Sequence, residues 1–314
     1  MKSNTHMGKA YAAAVLNALI IGLSFMFVKV ALEFASPLDT LAHRFTLSFA
    51  AAILLLVCRV ITVNIRMRDI LAILPLGLLY PALFFGFQSF GLLHASSSEG
   101  GILMAAVPIF TLFLASLFLK ERTNAWQKLS VSVSVAGVIF IFVMQGASID
   151  LTHLSGLLLL LLSTLCMAGY SVMARPLAKK YKPMDITFIM LAIGFVSFNA
   201  AALGNHAING TWHQFVEPLA NPTFLLSIAY LGILSSLVTA VTTNYALSKM
   251  EASKMSVFGN LGTLVTILAG VIFLGEPLFY YHIIGAIMIL AGVLGTNLLG
   301  SKTKLPASQH RASM

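Results

Sequence analysis

The sequence LFLKER at residues 117–122 recurs in altered form as IFLGEP at residues 272–277. Each copy is followed by a hydrophobic segment containing Ala-Gly-Val, at residues 136–138 and 291–293. The two regions align without a gap over residues 90–140 and 245–295, and further upstream Pro37 and Asp39 align with Pro183 and Asp185. The chain is therefore predicted to contain two copies of one structural unit, at residues 10–144 and 154–299.

The composition is that of a membrane protein. Hydrophobic residues make up 59% of the 314 residues, charged residues only 9%, and the mean hydropathy is +0.93. A folded soluble domain has no means of burying so much apolar surface. The net charge of +9 is spread over short connections, so we do not expect nucleic-acid binding. Cys58 and Cys166 lie in hydrophobic segments and predict no disulfide framework.

Ten hydrophobic segments reach the length of about 20 residues that a helix needs to cross a bilayer. Their predicted limits are residues 10–31, 38–58, 69–93, 98–119, 125–144, 154–174, 184–204, 222–247, 254–274 and 279–299. Each copy of the repeat holds five segments, an odd number, so the second copy is predicted to be inverted relative to the first. The predicted fold is an all-α membrane protein of ten transmembrane helices in two inverted five-helix repeats.

The basic residues predict the orientation of the chain. Seventeen of the 19 Lys and Arg residues lie in alternate connections, and the connections between those carry none. Basic loops stay in the cytoplasm. We therefore predict a multi-pass protein of the cytoplasmic membrane with both termini inside the cell.

The Leu-x-Glu motif followed by Ala-Gly-Val, present in both copies, resembles the EamA family of the drug/metabolite transporter superfamily. The resemblance extends from about residue 10 to residue 299. It implies ten helices, of which helices 1, 3, 4, 6, 8 and 9 surround a central cavity, and export of amino acids, related metabolites or other small molecules. One departure is Pro108 in the fourth segment, which aligns with Thr263 in the ninth.

Polar residues within the segments are candidates for substrate contact, because a polar group in hydrocarbon must face a cavity or bond to another helix. The predicted contact residues, with Met104 as a lining residue, are Asn17, Ser24, Tyr80, Gln88, Met104, Tyr170, Thr243, Asn244, Asn260 and Thr263. Asn17 and Ser24 align with Ser163 and Tyr170 in the second copy, which predicts two related stripes flanking one site. Interhelical packing is the alternative for each residue.

Two cations lie within segments and are possible charged contacts. Lys29 is near the outer end of the first segment, where its long side chain can extend to the interface. Arg44 lies about 9 Å deep in the second segment at 1.5 Å per residue. We expect a carboxylate of Glu33, Asp39 or Glu99 as its partner, with an anionic substrate as the alternative.

No Asp or Glu lies at mid-depth in any segment, which argues against proton-driven export of cationic drugs. A neutral polar cavity with cations in its outer half suits a zwitterion or a carboxylate. We predict a transporter that moves a small metabolite outward by alternating access, with an amino acid as the best candidate. Efflux of hydrophobic drugs or other metabolites, or a pore-like channel, is the alternative. Facilitated diffusion and histidine-based proton coupling both stay open. His43 and His94 are the histidines near the outer boundary that could titrate in range, but we expect each to be an interface residue.

Other functional classes find no support in the sequence. There is no HExxH, Walker A or GxSxG motif, so we do not expect an enzyme or a cofactor. His206 and His213 lack the spacing of metal ligands. The expected partners are the substrate and the lipid bilayer. Gly137, Gly285 and Gly292 predict close helix contacts or a homodimer face.

Overall fold

The computed structural model describes residues 2–119, 125–145, 151–249 and 252–300. Within these ranges the chain consists of helices and short connections, without a strand. The α-helices are α1 Lys2–Leu32, α2 Pro37–Val57, α3 Met67–Gly77, α4 Phe84–His94, α5 Ser97–Met104, α6 Val107–Leu119, α7 Ala125–Gln145, α8 Leu151–Lys180, α9 Pro183–Asn209, α10 Trp212–Val216, α11 Pro222–Ala229, α12 Thr239–Lys249, α13 Ala252–Leu274 and α14 Tyr280–Gly300. The all-α fold predicted from the sequence is confirmed.

Seven helical stretches of the described chain are long and apolar enough to cross a membrane. They are Gly8–Leu32, Pro37–Val57, Met67–His94, Ser97–Leu114, Leu151–Lys180, Pro183–Asn209 and Pro222–Lys249. Leu261–Leu274 and Tyr280–Gly292 are apolar but shorter. The count of ten spans in two inverted repeats stays a prediction.

Three of the predicted segments are interrupted helices. A π-helical turn, Leu78–Leu83, joins α3 to α4, and Tyr80 within it has non-helical backbone angles. Pro81 lies in this turn, and proline breaks a helix because it lacks an N–H and crowds the preceding turn. A turn at residues 105–106 separates α5 from α6, just before Pro108. A second π-helical segment, Tyr230–Val238, joins α11 to α12 without any proline.

Helix packing brings together elements that are distant in sequence. The most extensive contacts join α7 with α14, α1 with α13, α4 with α8, α2 with α9, and α5 with α13. Between α7 and α14, a Cβ atom on Gly137 would lie 2.9 Å from the carbonyl oxygen of Gly285. These glycines therefore permit close contact within one molecule, as predicted for small residues at helix interfaces. A homodimer stays a prediction.

Candidate substrate site

A cavity of about 60 Å³ lies among α1, α5, α8, α12 and α13. Four of the predicted contact residues line it, namely Asn17, Met104, Thr243 and Thr263. Most of the remaining wall is apolar and includes Phe25, Met167, Met255 and Phe258. Ligand pockets measure roughly 300 to 1,000 Å³, so this conformation leaves room for a few water molecules and not for a metabolite.

The polar residues at the cavity also hold its helices together. The Asn17 amide nitrogen donates to the carbonyl oxygen of Thr239 at 3.0 Å and to the hydroxyl of Thr242 at 3.2 Å, which joins α1 to α12. It also donates to the hydroxyl of Thr243. The Thr263 hydroxyl donates to the carbonyl oxygen of Gly101 at 3.0 Å, which joins α13 to α5. A change in cavity size therefore requires these bonds to rearrange.

Four other predicted contact residues bond within or between helices and are absent from the cavity wall. The Ser24 hydroxyl donates to the Ile21 carbonyl of its own helix at 2.7 Å. The Tyr170 hydroxyl donates to the Asn244 side-chain oxygen at 2.9 Å, and the Asn244 amide nitrogen donates to Thr187 at 3.0 Å. Tyr80 stacks on Tyr170 with ring centroids 4.6 Å apart. Of the two predicted stripes, only Asn17 reaches the cavity.

Gln88 and Asn260 complete the predicted set. Gln88 is buried, and its side-chain oxygen has no hydrogen-bond partner among the described residues. Asn260 belongs to α13, but its side chain lies outside the described part of the chain.

Arg44 is completely buried. The prediction that a carboxylate pairs with it is wrong. Its Nε donates to the Ser236 hydroxyl at 2.8 Å and its Nη2 to the Ser235 hydroxyl at 3.0 Å. The guanidinium carbon lies 3.9 Å from the ring centroid of Phe85. Nη1 has no partner within the described ranges.

The three expected carboxylates are engaged elsewhere or face away. Asp39 lies 2.7 Å from the His206 ring nitrogen, and Glu99 contacts His153 and His282. Glu33 is exposed. Asp39 and Arg44 are five residues apart on α2 and so point to different faces of the helix. Arg44 is thus a buried cation with no ion-pair partner among the described side chains.

A polar stripe connects Arg44 with the cavity. Ser236, Thr239 and Thr243 follow one another at intervals of three and four residues through the π-helical segment and α12. Ser236 bonds to Arg44, the Thr239 carbonyl accepts from Asn17, and Thr243 lines the cavity. One helical face therefore extends from the residue that bonds to Arg44 to a residue that lines the cavity.

A second cavity of about 540 Å³ lies at the end of the molecule predicted to face outward, and is called the vestibule here. Its ionisable lining residues are Lys29, His94, Glu99, His153, Glu276, Tyr281 and His282. The Lys29 ammonium donates to the carbonyl oxygens of Leu92 at 2.8 Å and Ala95 at 2.9 Å. Lys29 is partly buried in this position, and the extension of its side chain to the membrane interface stays a prediction.

Glu276, from the second Leu-x-Glu motif, caps α5. Its carboxylate accepts from the backbone N–H groups of Ser97 at 2.6 Å and Ser98 at 2.8 Å. These are orphan donors of the first helical turn, where negative charge is favourable. The motif that revealed the repeat therefore joins the second half of the chain to the first. Glu121, its counterpart in the first copy, lies outside the described residues.

Histidines other than His43 and His94, the two expected to titrate, contact carboxylates. His153 and His282 flank Glu99 at 3.2 and 3.5 Å, and His206 pairs with Asp39. His43 instead bonds to the Phe215 carbonyl at 2.8 Å. The spacing Ser96-x-x-Glu99 is the only sequence signal at this cluster, and it is a capping box.

Helices that are long and apolar enough to cross a membrane, packed around a small cavity, define the class as a multi-pass membrane protein. The model of the EamA-like transporter family matches residues 8–143 and 154–298, and the chain belongs to this family. It is 52% identical over 298 residues to the Bacillus subtilis protein named uncharacterized transporter YcxC, covering 95% of this chain and 96% of that protein.

Two further likenesses are more distant. The chain is 22% identical over 209 residues to a Streptantibioticus cattleyicolor protein named "Probable terminal-alkyne amino-acid exporter", with 67% of each covered. A solved crystal structure matches with a TM-score of 0.65 at 16% identity, covering 93% of this chain and 97% of the other. That structural likeness concerns the fold alone.

Proposed function

We propose that this transporter exports a small metabolite bearing a carboxylate, such as an amino acid or a related zwitterion. The observation that carries the proposal is Arg44, a completely buried cation whose Nη1 lacks a partner in the described part of the chain.

A buried charge without a counter-ion is costly, and hydroxyl groups compensate it only in part. The Ser235 and Ser236 hydroxyls occupy Nη2 and Nε of Arg44, which leaves Nη1 for another acceptor. A guanidinium binds a carboxylate better than any other side chain does, because its N–H groups match the two oxygens. A substrate carboxylate would therefore supply both the missing charge and the missing acceptor.

The apolar wall of the cavity suits the rest of such a substrate. Met104, Met167 and Met255 line it, and methionine side chains adapt to ligands of different shape. The carboxylate would follow the hydroxyl stripe of Ser236, Thr239 and Thr243, while the side chain of the substrate occupies the expanded cavity.

Alternating access between two inverted five-helix repeats, residues 10–144 and 154–299, is the mechanism we propose. The double match of the family model, to residues 8–143 and 154–298, supports two equivalent units. Transporters built from inverted repeats hold the substrate where the units meet and rock around it. The basic loops support a cytoplasmic-membrane location with both termini inside, and the name of the distant amino-acid exporter supports the outward direction.

Binding of matched ligands tests the role of Arg44. A ligand that binds only the native state raises the melting temperature. Hydrophobic amino acids should raise the melting temperature of the purified protein. The corresponding amines, which lack the carboxylate, should leave it unchanged. Arg44→Gln should lose the response, while Arg59→Gln, at an exposed loop position, should keep it. Equal stabilisation by amino acids and amines would refute carboxylate recognition.

Hydrophobic compounds are the second candidate class, because aromatic residues such as Phe25 and Phe258 add to the apolar wall. In the same assay, this alternative predicts stabilisation by uncharged apolar compounds and an unchanged response in Arg44→Gln.

A further inference from the structure

Glu99 brings two histidines together at the vestibule. It is 5% exposed and lies near the start of α5, where its Oε1 is 3.2 Å from Nε2 of His153 on α8 and 3.5 Å from Nε2 of His282 on α14. His282 is 4% exposed, whereas a third of the His153 side chain, 33%, is exposed. The cluster joins the first half of the chain to two helices of the second half.

The neighbours of each ring fix where its protons lie. The backbone N–H of Phe279 donates to Nδ1 of His282 at 3.3 Å. An acceptor nitrogen carries no proton, so this contact places a proton of His282 on Nε2, directed at Glu99.

His153 has the opposite arrangement. Its Nδ1 lies 2.8 Å from the carbonyl oxygen of His94. A carbonyl oxygen only accepts, so Nδ1 carries a proton. In a neutral ring, Nε2 would then turn a lone pair toward the Glu99 oxygen 3.2 Å away. The contact is favourable only when a further proton lies between the two atoms.

We propose that Glu99 Oε1 and His153 Nε2 form a binding site for an external proton, and that its occupancy controls opening of the vestibule. The inference rests on the proposed function. With the proton bound, the pair is a charge-assisted hydrogen bond that holds α8 against α5. Without it, a lone pair faces a carboxylate and the two helices repel one another at this end. External acid is therefore expected to hold α8 against α5, to prevent the vestibule from opening further, and to slow transport.

The other charged and titratable groups near the vestibule determine the electrostatic environment of this proton site. They are Lys29 of α1, Glu33 just after α1, His94 of α4, Glu276 of the connection before α14, and Tyr281 and His282 of α14. Lys29 interacts electrostatically with Glu276, Glu99 and Glu33. Glu276 is held by the amides of α5, and Nδ1 of His282 accepts from the Phe279 amide. His153 is the exposed member of the cluster that water in the vestibule reaches.

Transport in proteoliposomes at fixed internal pH tests this site. The external pH is varied between about 5 and 8, the range in which histidine titrates. The wild-type rate should fall on acidification with the slope of one proton, and Glu99→Gln and His153→Gln should each lose this dependence. The glutamine at position 99 keeps an acceptor for the Ser96 amide, which now donates to the Glu99 carboxylate at 2.8 Å.

His213→Gln is the matched control. His213 forms a histidine–glutamate contact of 3.2 Å with Glu217 that is largely exposed, so its removal should leave the dependence on pH intact. Active variants at positions 99 and 153 with the wild-type profile would overturn the proposal.

Nitrogen NMR of the His153 imidazole gives a readout independent of transport. We expect a doubly protonated ring at low pH that loses its Nε2 proton as the pH rises, and Glu99→Gln, which removes the adjacent negative charge, should move this change to lower pH. If the wild-type protein transports nothing, the proposed function fails and the NMR titration still decides this site. A His153 ring that stays neutral throughout the range would refute it.

Discussion

At the residue scale, the membrane interior of this protein contains polar groups of two kinds. Asn17 and Thr263 have bonding partners and line the cavity. The Gln88 oxygen and Arg44 Nη1 are buried without partners among the described residues. An unpaired buried polar group lowers stability, so groups of the second kind are the stronger candidates for function.

Gln88→Leu should separate stability from transport. Removing a buried oxygen without a partner should leave the free energy of unfolding unchanged or raise it by about 1 kcal/mol. Transport should be abolished if the amide serves the substrate. Thermal unfolding and uptake measured on one preparation check both points. A variant of lower stability with normal transport would show that Gln88 has a structural role.

Tyr170→Phe should lower stability slightly and leave transport intact, the reverse of the expectation for Gln88→Leu. The change removes the hydroxyl that donates to Asn244, and hydrogen bonds between membrane helices contribute about 0.6 kcal/mol. We expect a small loss of stability and retained transport, because Tyr170 lies in a helix contact. Loss of transport at unchanged stability would instead indicate that Tyr170 contacts the substrate.

At the element scale, helix breaks position the candidate site, and the sequence predicts them unequally. Pro81 marks the turn at Leu78–Leu83, since proline is incompatible with a helix interior. No proline marks Tyr230–Val238. The spacing of Ser236, Thr239 and Thr243 predicts their shared face, but not that the adjacent Ser235 also bonds to Arg44. Neighbouring residues of a regular helix point about 100° apart, so this geometry needed the structure.

The contact between α7 and α14 predicts that alanine is destabilising at Gly137 but tolerated at Gly204. A Cβ on Gly137 would lie 2.8 Å from the Met288 Cβ and 2.9 Å from a backbone oxygen. Gly204 of α9 has no atom within 4 Å of that position. Gly137→Ala should lower the melting temperature, whereas Gly204→Ala should keep or raise it, because alanine favours a helix by about 1 kcal/mol. Equal melting temperatures would contradict the packing described.

At the scale of the whole molecule, the sequence predicted the membrane class and the helical fold from composition and segment length. It also identified four of the residues that line the cavity. It did not predict the histidine–carboxylate contacts at the end predicted to face outward, because partners such as Glu99 and His282 are distant in sequence. Arg44 was recognised as a buried cation, while its bonds to Ser235 and Ser236 depend on how α2 packs against the segment Tyr230–Val238.

Counterflow in proteoliposomes tests the central claim most directly. Vesicles preloaded with single unlabelled amino acids are diluted into a trace of the same labelled compound, which a carrier accumulates transiently. We predict saturable accumulation of one or a few amino acids by the wild-type protein, and none by Arg44→Gln at equal abundance. Accumulation by Arg44→Gln at the wild-type rate, or no wild-type accumulation of any carboxylate compound, would contradict the account.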